Sequence, residues 1–105
     1  MKQMKILLVC AGGMSTSILM KKLQKYSDDR GMGDQITAVG LGAYEDVYRN
    51  YDVILMGPQV SYRVDEVKQT TGLPTAPIPS YDYAVGNSDN IFKLAEKLVT
   101  DNVSN

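Results

Sequence analysis

The sequence predicts a small α/β domain: a four-stranded parallel sheet in the order 2-1-3-4, doubly wound, with helices on both faces. Three observations lead there. Short apolar runs alternate with longer amphipathic stretches along the chain, the pattern of repeated strand–helix units. Two of those runs, "KILLVC" and "YDVILM", are almost continuously apolar and so belong in the middle of a sheet covered on both sides. The last run, "LPTAPIP", carries Pro74, Pro77 and Pro79. Proline cannot donate to a ladder, which places this run at a sheet edge. At 105 residues the whole chain, 1–105, reads as one domain with one core.

The elements follow in order. The first strand covers residues 4–9 and is central. A helix over 15–29 follows, with Leu19, Leu23 and Tyr26 on one face. Gly31 and Gly33 end it by supplying left-handed backbone cheaply. Residues 35–39 form a weaker strand, 43–50 a short helix, and 51–56 the second strong strand, closed by Gly57-Pro58. A helix over 61–71 ends at Gly72. After the proline-broken strand, "NSDNIFKLAEKLVTDN" (87–102) is the last helix. Asn87 or Ser88 caps it, and Ile91, Leu94, Ala95 and Leu98 face the core. In this strand order the crevice opens beyond the carboxyl end of the first strand, where Cys10 falls.

Composition narrows the function. The net charge is −1, so no overall pull toward nucleic acid or membrane is expected. The charge is uneven, however: through Ser27 there are five lysines and no acid, so the cysteine lies at the basic end. No apolar stretch approaches the roughly 20 residues that span a bilayer, and no signal-peptide core is seen. A lone cysteine cannot form an internal disulfide, which excludes a dithiol redox role and points to a cytoplasmic setting. The chain has no histidine. That removes the Cys-His pair, the serine triad and the usual zinc clusters. The six methionines read as adaptable core filler, and neither metal nor cofactor is expected.

The segment "KILLVCAGGMSTSILM" carries the chemistry. Cys10 ends a rigid strand about one turn before a helix N-terminus, whose unpaired amides and dipole favour negative charge. Gly12 and Gly13 let the backbone approach a ligand and turn its N–H groups inward. Ser15, Thr16 and Ser17 add hydroxyl donors. The same field favours thiolate, the nucleophilic form. Composition alone fits a buried spacer cysteine equally well. Its position at the strand's carboxyl edge, followed by two glycines and three hydroxyls, favours a phosphoryl-accepting thiol. The loop also resembles the C-x5-R phosphate loop of cysteine phosphatases, but Thr16 stands where the arginine would be. Without that bidentate clamp the loop is expected to hold a phosphoryl group and hydrolyse it poorly.

Strand, "CAGGMSTS", amphipathic helix and then "DVILMGPQVSYRVDEV" together resemble the enzyme IIB component of the lactose/cellobiose class of the sugar phosphotransferase system. The likeness covers essentially the whole chain. It implies that Cys10 is the phosphorylated cysteine and that Ala11, Gly12, Gly13, Met14, Ser15, Thr16 and Ser17 form its phosphate loop. It further implies a phosphohistidine donor on a IIA protein. The acceptor is a sugar, typically a β-linked disaccharide such as cellobiose, lactose or chitobiose, bound at the membrane permease IIC. The protein would be cytoplasmic, drawn to the inner face of the membrane by IIC without inserting into it.

Four residues are assigned to the rim of the same edge. Gln59 and Tyr62 follow the third strand, Gln59 placed either to brace the loop or to cap a turn. Asp82 and Tyr83 follow the fourth; a phosphatase of this topology would keep its general acid there. Two other readings stand beside the carrier. One is a small cysteine phosphatase, with Cys10 as nucleophile and Asp82 as acid, against which Thr16 counts heavily. The other is a non-catalytic anion or nucleotide binder, which leaves the cysteine unexplained.

Overall fold

The computed structural model describes residues 3–11 and 14–103, with every side chain among them except those of 14–16 and 102–103. Strand β1 (Lys5–Cys10) runs through the middle of the sheet because it is apolar on both faces. Ile6, Leu7, Leu8 and Val9 are almost wholly buried. Burying each such side chain stabilises the fold by about 1.5–3 kcal/mol. β1 pairs in parallel with β2 (Gln35–Gly40) on one side and β3 (Val53–Met56) on the other. β4 (Thr75–Pro77) pairs with β3, giving the expected order β2-β1-β3-β4.

Alternation along β1 divides the core in two. Ile6 and Leu8 pack with Leu19 and Leu23 of helix α1 (Met14–Asp29) and with Ile91, Phe92 and Ala95 of a C-terminal helix. Leu7 and Val9 pack on the opposite face with Ile54, Met56, Val60, Val67 and Tyr44. Tyr44 opens α2 (Tyr44–Val47), and Val67 lies on α3 (Val64–Thr71). Helices therefore cover both faces of the sheet, as a doubly wound domain requires. The glycines expected to end helices do so: Gly31 and Gly33 follow α1 with φ of 64° and 74°, and Gly72 ends α3 at 70°. Among the described residues no helix is long and apolar enough to cross a membrane.

The helix expected over 43–50 is α2 followed by a 3-10 turn (Tyr48–Asn50), and three other differences from expectation have physical reasons. The third strand starts at Val53 rather than residue 51, because the Tyr51 amide donates to Tyr48 O at 3.0 Å and closes a 3-10 turn over Tyr48–Asn50. Helix α3 starts three residues later than expected. The preceding segment, Pro58–Arg63, is 3-10 with a non-helical break at Val60 (φ −121°, ψ 15°), whose side chain is buried in the second core. The stretch after β4 holds a further helix, α4 (Ser80–Val85), before the expected last helix α5 (Ser88–Val103). Six residues are too few to show a helical period in sequence. Of the two candidate caps for α5, Asn87 serves: its Oδ1 accepts from the Asn90 amide at 3.1 Å.

One buried group is left without a partner. The Tyr44 hydroxyl has no hydrogen bond among the described residues, although the residue is 1% exposed. Desolvating such a group costs about 1–3 kcal/mol. Tyr44→Phe is therefore expected to raise stability by about 1 kcal/mol, read as a higher urea midpoint at unchanged slope. A lower midpoint would show that the hydroxyl holds a buried water.

Candidate functional site: a cysteine at the carboxyl edge of the sheet

Cys10 is the last residue of β1 and is 6% exposed. Its partner across the ladder to β2 is Gly40, and its carbonyl accepts from the Leu41 amide at 2.9 Å. On the other side Val9 pairs with Met56, and the Gly57 amide donates to Val9 O at 2.9 Å. Gly40, the last residue of β2, and Gly57, just past the end of β3, therefore stand on either side of the strand end. The backbone holds the thiol from both sides while leaving the space next to it clear of side chains from those two positions. The Sγ–H donates to Val39 O at 3.7 Å, a weak contact that orients the thiol along the strand end.

Gly57 explains what the edge is built around. Its φ of −61° and ψ of 150° suit any residue, so backbone conformation is not why glycine stands there. What matters is where a side chain there would point. A Cβ at Gly57 would lie 3.1 Å from Gln59 Oε1, 3.7 Å from Cys10 Cβ and 3.7 Å from Tyr83 Cε2. Three of the residues singled out in sequence, Cys10, Gln59 and Tyr83, thus converge on one point at the carboxyl end of β1 and β3. Tyr83 reaches it from α4, its ring packed against the first core.

The other rim residues are placed differently. Tyr62 lies in the same 3-10 segment as Gln59 and is 76% exposed. Its neighbour Arg63 is occupied elsewhere: the guanidinium donates to both carboxylate oxygens of Glu66, which holds that carboxyl below its usual range. Asp82 stands in helix α4 rather than in a loop. Its Oδ1 accepts from Asn90 Nδ2 at 3.2 Å, so the carboxylate is turned toward α5. Of the loop itself, Ala11 is exposed, and Ser17 is exposed on the first turn of α1. Gly12 and Gly13 lie outside the described residues, as do the side chains of Met14, Ser15 and Thr16. The backbone of 14–17 is helical, and that first turn carries no acidic residue. The helix end nearest the cysteine is therefore unopposed by its own side-chain charge and suits an anion.

Sequence reasoning did not assign Gly57 a role at the site, nor α4 as the element that carries Tyr83. The signal for Gly57 was its position immediately after the strong strand "VILM". For α4 it was the stop glycine, Gly86, ahead of a capped helix.

A doubly wound parallel sheet with a cysteine at the carboxyl end of its first strand, at the reversal of strand order and just ahead of a helix start, defines a small α/β protein whose candidate site is that edge. The chain belongs to the family "PTS system, Lactose/Cellobiose specific IIB subunit", whose profile matches residues 5–94. It is 34% identical over 102 residues to the PTS system cellobiose-specific EIIB component of Lactococcus lactis subsp. lactis, covering 90% of this chain and 94% of that one. The galactose-specific EIIB component of Lactococcus lactis subsp. cremoris is 33% identical over the same length and coverage. Among solved structures, the cellobiose-specific phosphotransferase IIB component of Borrelia burgdorferi superposes with a TM-score of 0.80 at 31% identity. That match covers 95% of this chain and 94% of the other.

Proposed function

We propose that this IIB chain carries a phosphoryl group on Cys10 Sγ, taken from a phosphohistidine of a IIA protein and passed to a sugar held by a IIC permease. The observation that carries the reading is the placing of Cys10 at the carboxyl edge of the sheet, where Gln59 and Tyr83 converge with it at Gly57. A buried thiol is fixed at the strand end, Gly40 and Gly57 lie on either side of it, and a helix start lies just beyond. In the first step Sγ attacks phosphorus in line, the P–N bond breaks, and the thiol proton goes to the departing imidazole nitrogen. In the second a sugar hydroxyl oxygen attacks phosphorus, the S–P bond breaks, and the hydroxyl proton leaves to solvent as Cys10 departs as thiolate. Neither step needs a base in this chain, since catalysis of phosphoryl transfer is mainly positioning and charge stabilisation.

The amides of the loop over 11–17 are the donors proposed to face the phosphoryl oxygens, with the hydroxyls of Ser15, Thr16 and Ser17 completing the cage. The sugar is proposed to be of the cellobiose, lactose or galactose type named for the relatives, selected at the permease. The protein would work in the cytoplasm at the membrane's inner face. A carrier must also resist water. Thr16 in place of a clamping arginine, and an Asp82 carboxylate engaged with Asn90, both favour carriage over phosphatase turnover.

The test is direct. Incubated with phosphorylated IIA, the protein is expected to gain the mass of one phosphoryl group, mapped to Cys10, and to keep it until permease and sugar are added. It should release negligible phosphate from an aryl phosphate. Label on another residue would overturn the assignment. Steady aryl-phosphate turnover that is lost in Asp82→Asn would place the chain with the phosphatases.

A further inference from the structure

The reach of Tyr83 toward Cys10 depends on a short helix that is held by contacts with other elements, the packing of the Tyr83 ring on the first core among them. Helix α4 has six residues, no side-chain cap at its N-terminus and no fully buried residue. A helix that short is unstable alone, so outside contacts decide where it sits. Its C-terminus is closed by backbone bonds at Gly86 (φ 64°). The Asn87 amide donates to Asp82 O at 2.9 Å and the Gly86 amide to Tyr83 O at 3.3 Å. These account for the Asp82 and Tyr83 carbonyls. The Val85 carbonyl is taken from another element: Lys22 Nζ, on α1, donates to it at 3.2 Å. The lysine stem lies across the glycine, for a Cβ at Gly86 would fall 2.9 Å from Nζ and 3.0 Å from Cδ. A cation at a helix C-terminus also meets the favourable end of the dipole.

We infer that Lys22 is a positioning residue for the cysteine site: it ties α4 to α1, and so holds the Tyr83 ring against the edge where Cys10 sits. The two helices matter together. α1 starts directly after the cysteine loop, and α4 brings the ring that reaches Gly57 from the other side. Lys22 joins the two helices across their flanks. The Asp82–Asn90 bond also ties α4 to α5, and the Tyr83 ring packs on the first core, so Lys22 is one of several contacts on the helix. The inference rests on the reading of Cys10 as the reacting atom, and it assigns to Lys22 the task of keeping one wall of that atom's surroundings closed.

The test uses the thiol as its own reporter, so it needs no phosphoryl donor. The rate of Cys10 alkylation by iodoacetamide is measured in the wild type, Lys22→Met, Lys22→Arg, Tyr83→Ala and the Lys22→Met/Tyr83→Ala double variant. Circular dichroism confirms that each is folded. Lys22→Met is expected to react about five-fold faster, the factor given by a cation at a helix C-terminus. Lys22→Arg should react at the wild-type rate. Tyr83→Ala should react faster still, and the double variant no faster than Tyr83→Ala alone, because Lys22 acts through that ring. If Lys22 acted only through its charge on the sulfur, its removal would slow alkylation, and that result overturns the inference. So would wild-type reactivity in folded Lys22→Met, or effects of the two substitutions that multiply in the double variant. In transfer from phosphorylated IIA, Lys22→Met is expected to be slowed by a similar factor and Lys22→Arg to be restored. A wild type that takes no phosphoryl group at all would sink the functional reading, while the alkylation cycle would still decide the role of Lys22.

Discussion

Cys10→Ser is expected to take up phosphoryl groups from phosphorylated IIA about 10⁶-fold more slowly than the wild type, the scale of loss when a covalent nucleophile is removed from an enzyme. The substitution is small in every other respect. Serine keeps the Cβ and fills slightly less space at a position that is 6% exposed. β1 is fixed on both sides by its ladders to β2 and β3, so the strand end has no reason to shift. What changes is the reacting atom. A thiol supplies some thiolate at neutral pH and is intrinsically nucleophilic, whereas a hydroxyl needs a neighbouring base. The chain has no histidine, and Asp82 is turned to Asn90. Rapid-quench measurement of a single phosphoryl transfer, with stability followed in urea, reads both effects. A serine variant phosphorylated within ten-fold of the wild-type rate would remove Cys10 from the mechanism.

The strand order was legible because each of its determinants is a property of single short runs. "KILLVC" is apolar at five successive positions, which only a strand covered on both faces tolerates, and β1 is central. Three prolines mark "LPTAPIP" as an edge, and β4 is one: Pro77 pairs with Met56, and beyond it the Ile78 amide donates to Met56 O at 2.8 Å. The cysteine's place at the crevice followed from that order. What could not be read were features set by contacts between distant residues. The break at Val60 arises because its side chain is drawn into the second core, which no local propensity encodes. Helix α4 is too short for periodicity, and it is held by Lys22 from 63 residues away in sequence. Gln59 and Tyr83 were placed on the rim from topology alone. That they meet at Gly57 is a matter of side-chain direction, which spacing in sequence does not carry.

Gly57→Val is expected to slow transfer by at least about 10²-fold while leaving the fold intact, the cost of displacing reacting groups by about an ångström. The backbone at Gly57 accepts a branched residue, with φ at −61° and ψ at 150°. A penalty therefore comes from the space that valine takes. Its Cβ alone would sit in ordinary contact with Cys10 Cβ and the Tyr83 ring, both at 3.7 Å. The two γ-methyl groups then extend about 1.5 Å further, toward atoms already in contact with that Cβ, and push the ring or the thiol aside. Gly57→Ala separates the causes. Its single methyl would crowd only Gln59 Oε1, at 3.1 Å, and Gln59 is exposed and can swing away. Alanine should therefore cost little stability and slow transfer only by what the Gln59 carboxamide contributes, matching Gln59→Ala. Gly42→Ala serves as the control, since a Cβ there meets nothing within 4 Å and both stability and rate should hold. The wild-type transfer rate in Gly57→Val, with a folded spectrum, would show that the Gly57 side of Cys10 is not where the phosphoryl group passes. An unfolded valine variant would leave alanine to decide, and there a rate unlike that of Gln59→Ala would sink the argument.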